Sequence, residues 1–274
     1  MYRFLASPRW LGYAALTLAA AAVMVLLGLW QLDRYHQRAE INARIDAGTS
    51  ATPVALTDVV GAPHGGAGTV GPEPAEHSEW TRVTVTGRFD PQHEILVRGR
   101  TVEGAVGFEV LTPLVLQDGT AVLIDRGWVR PASAGASTTP DVPAAPSGTV
   151  TVAGRLRPPE SRGGRPQEVS SHAEIRRITP SAIAPTMPYA LFDAYVSADE
   201  PAPGFVAVPA EKQNALQNAG YVLQWGLFAA MTLYGFVYLA RREGRGPRPD
   251  DLLDDDDEEE DEDEDRDQLH EAPR

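Results

Sequence analysis

Residues 10–32 carry no charge and are dominated by Ala, Leu and Val, and a second uncharged, apolar stretch covers residues 219–240. At 1.5 Å rise per residue, a helix over either stretch crosses a hydrocarbon layer of about 30 Å. A cleavable signal segment would end its apolar core after about 7–15 residues at a small-residue site. Here Val23-Met24-Val25-Leu26-Leu27 runs on, so the first stretch reads as a retained span. After it, residues 31–41 contain no breaker, which predicts that the helix continues and stops near Gly48. Residues 48–78 are rich in Gly, Ala and Pro with few large apolar side chains, and only 54–60 hints at local structure. A stretch of that composition buries little surface and is expected to be a loose connector.

From Trp80 onward the pattern changes to a period of two. Val83, Val85 and Gly87 alternate with Arg82, Thr84, Thr86 and Arg88, as in a half-buried strand. Strand-like runs follow at 94–97, 106–116, 120–125 continuing to 129, and 149–156, separated by turn signals such as Asp118-Gly119. This spacing predicts an antiparallel sheet or barrel. Residues 131–148 and 157–166 read as exposed loops, 175–183 as a short helix limited by Pro180 and Pro185, and 189–196 as a further strand. The fold class expected is a membrane protein in which two transmembrane α-helices bracket a mostly antiparallel β (α+β) domain. Its parts are a cytoplasmic N-terminus (1–9), the first helix (10–32), a helical extension and flexible linker (33–78), the β-rich domain (79–210), the second helix (219–240) and a tail (241–274).

Charge sets the orientation. Only Lys212 lies shortly before the second span, while Arg241, Arg242, Arg245 and Arg248 follow it, which predicts a cytoplasmic C-terminus. With two spans both termini share that side. Arg3 and Arg9 agree, whereas Arg34, Arg38 and Arg44 pull the other way. The β domain is then extracytoplasmic and the protein multi-pass in the cell membrane. The net charge of −14 belongs to one segment: residues 250–274 hold 16 acidic and 2 basic residues, leaving 22 of each elsewhere. The acidic tail is expected to be disordered by self-repulsion. The rest offers no electrostatic case for nucleic acid. The absence of cysteine excludes thiolate metal sites, disulfides and thiol exchange. A single lysine in a chain dense in Ala, Gly, Pro and Arg fits a bacterial base composition.

Little of this supports catalysis. Gly66-Ala67-Gly68-Thr69-Val70-Gly71 has a dinucleotide-like spacing but lacks the strand before it and the helix after it that would face phosphates. There is no Gly-x-Ser-x-Gly elbow and no His-Glu-x-x-His pair. His93-Glu94 and His172-x-Glu174 read as surface residues. The aromatic residues near the span ends include ordinary interfacial anchors. Trp30-Gln31-x-x-Arg34 and Gln224-Trp225 differ, because they place indoles, amides and a guanidinium at the outer end of both spans, where an amphipathic ring bearing propionates would fit. His36, just past the first span, is open to two readings, an axial ligand or a solvated helix residue. Asp125-Arg126-Gly127-Trp128-Val129 closes an apolar strand with charge. It reads either as an internal ion pair or as an Arg and Trp presented to a partner, with Gly127 allowing a bulge.

Taken in order, several motifs resemble the Surfeit locus protein one family, also called Shy-one, in its bacterial, actinobacterial branch. They are Gly28-Leu29-Trp30-Gln31 with Arg34, Val85-x-Gly87-x-Phe89, Gly107-Phe108-x-Val110-x-Thr112-Pro113-Leu114, Val122-Leu123-Ile124 running into Asp125–Val129, and Tyr221-x-x-Gln224-Trp225-x-x-Phe228-Ala229. The resemblance covers nearly everything except the acidic tail. It implies a non-enzymatic, chaperone-like assembly factor for the haem-copper (aa3-type) cytochrome c oxidase of the respiratory chain, assisting haem a insertion into subunit I or stabilising that subunit. It further implies transient haem a contact through Trp30, Gln31, Arg34, His36, Tyr221, Gln224 and Trp225. The partners implied are oxidase subunit I, the haem a synthase machinery and the lipid bilayer; Arg126, Gly127 and Trp128 would face a protein partner on the second reading of their strand given above. One departure stands out: many members carry a His about three residues before the second-span Tyr, and this chain has Asn218 there. A membrane-anchored sensor or interaction protein without haem, and a membrane-anchored enzyme, are the alternatives; the first would need a cytoplasmic output domain and the second a converging catalytic set.

Overall fold

The computed structural model describes residues 3–75, 77–132, 139–169, 172–210 and 212–245. The acidic tail and Arg248 lie outside the described residues, as does part of the loop expected at 131–148. The chain divides into two units, one formed by the residues up to 39 with those from 214 on, the other by residues 40–213.

The first unit contains most of α1 (Pro8–Ser50) and all of α4 (Ala215–Glu243). Both helices are long and apolar enough to cross a membrane. Their most apolar windows are only 11% and 6% buried within the chain, unlike the core helix of a soluble protein. Helix α4 begins at Asn214, whose side chain accepts from the Gln217 backbone N–H at 3.2 Å and so satisfies one of the free donors of the first turn.

The second unit is built on β1 (Val54–Ala55), β2 (Arg82–Phe89), β3 (Ile95–Val102), β4 (Ala105–Val115), β5 (Ala121–Val129), β6 (Thr149–Arg157), β7 (Gln167–Val169), β8 (His172–Ile175) and β9 (Leu191–Ala198), with the short helices α2 (Leu56–Val59) and α3 (Pro180–Ile183). The strands join in the order β1-β2-β6-β9-β5-β4-β3-β8-β7, and β2 also pairs with β4. Strands β2, β6, β9, β5 and β4 therefore close into a ring. Alternation along β5 feeds two cores. Val122 and Ile124 point into the ring beside Val83, Val85, Leu156 and Phe192, while Leu123 faces a second cluster with Ile95, Leu111, Ile178, Ile183 and Leu191. All nine residues of β5 are buried, so it has no solvent face.

Three expectations are corrected. The sheet is mixed rather than mostly antiparallel, since β1–β2, β3–β8 and β5–β9 run parallel. Alternation reports which face a side chain takes, whereas direction depends on the connection, and the long excursion between β5 and β9 allows a parallel return. The connector is not loose: Leu56 and Val60 are buried against the ring core, and Val70 bridges in parallel to Leu191. Finally, Ile175 ends a strand instead of starting a helix. Pro180 opens α3 at its first turn, where its missing N–H costs nothing. The loop expected at 157–166 is tied down at Glu160, whose carboxylate accepts from Ile178 N at 3.0 Å.

Candidate functional site

Polar residues of α1 and α4 meet within the first unit. Gln31 and Arg38 are seven residues apart and share a helix face. Asn218, 7% exposed, lies against both. Its Nδ2 donates to Gln31 Oε1 at 2.8 Å, while Arg38 Nη1 donates to Asn218 Oδ1 at 2.8 Å and to the Asn214 carbonyl at 3.2 Å. Both ends of the Asn218 amide are thus engaged. Trp225 is half-buried and edge-on to Phe228 at 6.0 Å, and a Cβ built on Gly28 would sit 3.6 Å from its Cβ. Of the residues singled out in the sequence, Gln31 and Trp225 are therefore brought to the helix pair. Trp30 and Tyr221 are largely exposed, Gln224 is exposed, and Arg34 donates within its own helix to Gln37 at 3.2 Å. His36 stands against Tyr35 with ring centroids 5.4 Å apart. At 3.6 residues per turn it lies roughly 140° around α1 from Gln31, off the stripe that faces Asn218. Arg38 and Asn214 were not recognised in the sequence; the seven-residue step from Gln31 to Arg38 was the available signal.

The Asp125–Val129 motif takes the internal reading, with a different partner from its sequence neighbour. Arg126 pairs with Glu94 at 3.1 Å, and its Nη2 donates to the carbonyls of Pro143 and Ala144, each at 2.9 Å. Its guanidinium also lies 4.7 Å from the Phe205 ring centroid. Burial lowers the Arg126 pKa against the raising influence of Glu94. Trp128 is 1% exposed, and its indole donates to the Arg100 carbonyl at 3.0 Å. Gly127 adopts φ 124°, where a Cβ would come 2.9 Å from Phe205 Cβ. Arg126 and Trp128 are consequently not presented to a partner, because alternation on a strand buried on both faces leaves neither of them an outward direction.

The second unit also holds a cavity of about 430 Å³ with mainly polar walls. Glu109 of β4 and Asp125 of β5 contribute buried carboxyl groups to it. Burial and the nearby Asp125 push Glu109 to about 8, and Arg100 only partly opposes this. Burial pushes Asp125 to about 6 against hydrogen bonds from Gly127 N and Ser197 Oγ. The folded state thus binds protons that the unfolded chain releases near its ordinary carboxylate pKa, so the stability these two groups contribute is fully present below about 4 and is lost as pH rises through about 6 and about 8. Thermal melts of the detergent-solubilised chain should show a falling midpoint from pH 5 to pH 8, with Glu109→Gln flattening that slope. A midpoint that rises over this range would contradict the assignment.

Three relatives place this arrangement among known proteins. A SURF1-like protein of Mycobacterium tuberculosis is 31% identical over 261 residues, covering 90% of this chain and 92% of that protein. A SURF1-like protein of Monosiga brevicollis is 30% identical over 256 residues, 85% and 91% of the two chains. The cytochrome oxidase assembly protein SHY1 of Saccharomyces cerevisiae is 28% identical over 115 residues, 42% of this chain and 27% of that one. A model of the SURF1 family matches residues 18–230, a span that includes both the Gln31–Asn218 contact and the entire sheet. With two long apolar helices bracketing a β unit in the sequence, and with the Mycobacterium tuberculosis and Monosiga brevicollis relatives matched over nearly their whole length, the chain belongs to the SURF1 family.

Proposed function

We propose that this chain is a membrane-anchored assembly factor for an aa3-type cytochrome c oxidase, acting by binding and not by catalysis, and that it assists haem a insertion into subunit I or stabilises that subunit. The observation carrying this reading is membership of a family whose yeast relative bears the name of an oxidase assembly protein. In this reading the sheet unit is extracytoplasmic and both termini are cytoplasmic in the cell membrane, an orientation supported by Arg241, Arg242 and Arg245 after the second span. Oxidase subunit I and the haem a synthase machinery are the proposed protein partners.

The residues at the helix pair suit the periphery of a haem better than its iron. Asn218 uses its donor on Gln31 and its acceptor on Arg38, and His36 lies off that stripe, so neither offers an axial nitrogen there. Trp30 and Tyr221 leave aromatic surface uncovered and Arg34 is exposed, a set able to hold ring faces and a propionate. Haem a, when bound, would supply the redox centre destined for the oxidase. The role of Gln31 and Trp225 is to orient it, and that of Asn218 and Arg38 is to fix Gln31.

Deletion of the gene, followed by reduced-minus-oxidised spectra of membranes, is the direct test. A severalfold loss of the haem a band and of oxidase activity is expected. Unchanged haem a absorbance with normal oxidase activity would overturn the reading.

A further inference from the structure

We infer that the polar cavity of the sheet unit is a recognition site for an organic cation, an ammonium or guanidinium group, held by Glu109 and Asp125 beside Trp80 and Tyr195. This site is separate from the helix pair and does not depend on the assembly reading.

The charges lining the cavity do not balance. Four carboxylates, on Glu79, Glu109, Asp125 and Glu160, stand against three guanidiniums, on Arg100, Arg155 and Arg157. Each guanidinium is already engaged. Arg100 meets Glu109 at 3.0 Å and Glu160 at 2.7 Å, Arg155 meets Asp199 at 3.8 Å, and Arg157 meets Glu79 at 3.6 Å. Asp199 is itself held by Arg82 at 2.6 Å, so the layer behind the cavity returns no spare cation. The Nε atoms of all three cavity arginines are enclosed and stand at ion-pair distance from these carboxylates without a hydrogen bond of good geometry. Asp125 has no ion pair among the described residues. It accepts only from Gly127 N at 3.1 Å and Ser197 Oγ at 3.3 Å, although it is 3% exposed. Buried carboxylates are ordinarily matched by a cation, and this cavity is one short.

Two further observations favour an organic cation over other occupants. Trp80 and Tyr195 line the same space, and aromatic faces beside carboxylates form a favourable surround for ammonium and guanidinium groups. Arg157 already exploits it, 3.9 Å from the Trp80 ring centroid. Among the described residues no three His, Asp or Glu side chains converge to hold a metal ion. The volume of about 430 Å³ admits the end of a lysine or arginine side chain, or a small free amine. Meanwhile a proton stands in for the absent cation. Around Glu109 lie Asp125, Arg100, Glu160, Arg157 and Tyr195, and the balance of burial and repulsion keeps Glu109 protonated at neutral pH. Entry of a cation releases that proton.

Isothermal titration of the full chain in detergent tests this, with butylammonium and ethylguanidinium as free cations, an acetylated Gly-Arg-Gly amide as a peptide-borne one, and butyrate as the opposite charge. Saturable cation binding is expected, tightening about tenfold per pH unit from pH 6 to pH 8 if one proton leaves. Heats that vary with buffer ionisation enthalpy would report the same proton. Glu109→Gln should abolish the pH dependence, and Asp125→Asn should weaken binding at least tenfold at pH 8. Binding of the free cations identifies a small amine as the ligand, and binding of the peptide alone identifies a partner's side chain. No saturable cation heat, tighter binding of butyrate, or cation binding by the unmodified chain without proton release would each overturn the inference. So would variants that melt like the parent and bind unchanged.

Discussion

Replacing Arg126 with alanine is expected to destabilise the sheet unit by about 3–5 kcal/mol, the usual loss when one member of a buried ion pair is removed. The side chain is 3% exposed, and its removal leaves the Glu94 carboxylate, itself only 10% exposed, without its cation. It also frees the Pro143 and Ala144 carbonyls, and it uncovers the Phe205 ring on which the guanidinium rests. Arg126→Lys keeps the charge but not the planar fork that reaches both carbonyls, so it should fall between the parent and the alanine variant. Pairing Arg126→Met with Glu94→Gln should restore much of the loss, because no buried charge then lacks a partner. Chemical denaturation of the detergent-solubilised chain, followed by circular dichroism in the strand region, measures this series. An alanine variant within about 1 kcal/mol of the parent would show that the pair is dispensable.

The second large effect concerns Gly107 and Trp128. A Cβ on Gly107 would lie against the Trp128 indole and the Val129 carbonyl at a separation that real Cβ atoms do not show. Gly107→Val should therefore cost about 1–3 kcal/mol or more by overpacking, and Trp128→Ala about 3–5 kcal/mol by leaving a void and orphaning the Arg100 carbonyl. The two changes share one space, so the double variant should lose clearly less than the sum of the single ones. Additive losses would mean that the glycine and the indole do not compete for that volume.

These residues also mark where sequence reasoning succeeds. Period-two alternation located β2 closely because one face of it is buried against an apolar core, whereas β4 and β5, buried on both faces, were located by their unbroken apolar runs. The helix leaving the first span was readable because nothing between Gln31 and Ile41 interrupts it. Composition misled at the connector: Gly and Pro are abundant there, but Leu56 and Val60 are four residues apart and close one side of the ring core with a single helical turn. Strand direction was not legible, since parallel and antiparallel partners impose the same alternation. At the helix pair, the motifs pointed to Gln31, Asn218 and Trp225, but Arg38 and Asn214 emerge only when α1 and α4 are paired. The polar cavity was out of reach for a stronger reason. Arg100, Glu109, Asp125, Arg155 and Tyr195 sit on five different strands, and no spacing along the chain brings them together.

The outermost strands of the sheet, β1 and β7, are two and three residues long. Chains that add a strand to a neighbour need a run of open N–H and C=O groups, and stubs of this length offer almost none. Among the described residues, these two outer strands therefore give a passing chain little template for backbone pairing. Under the assembly role proposed above, a client protein would be held at these edges by side chains and not by added strands.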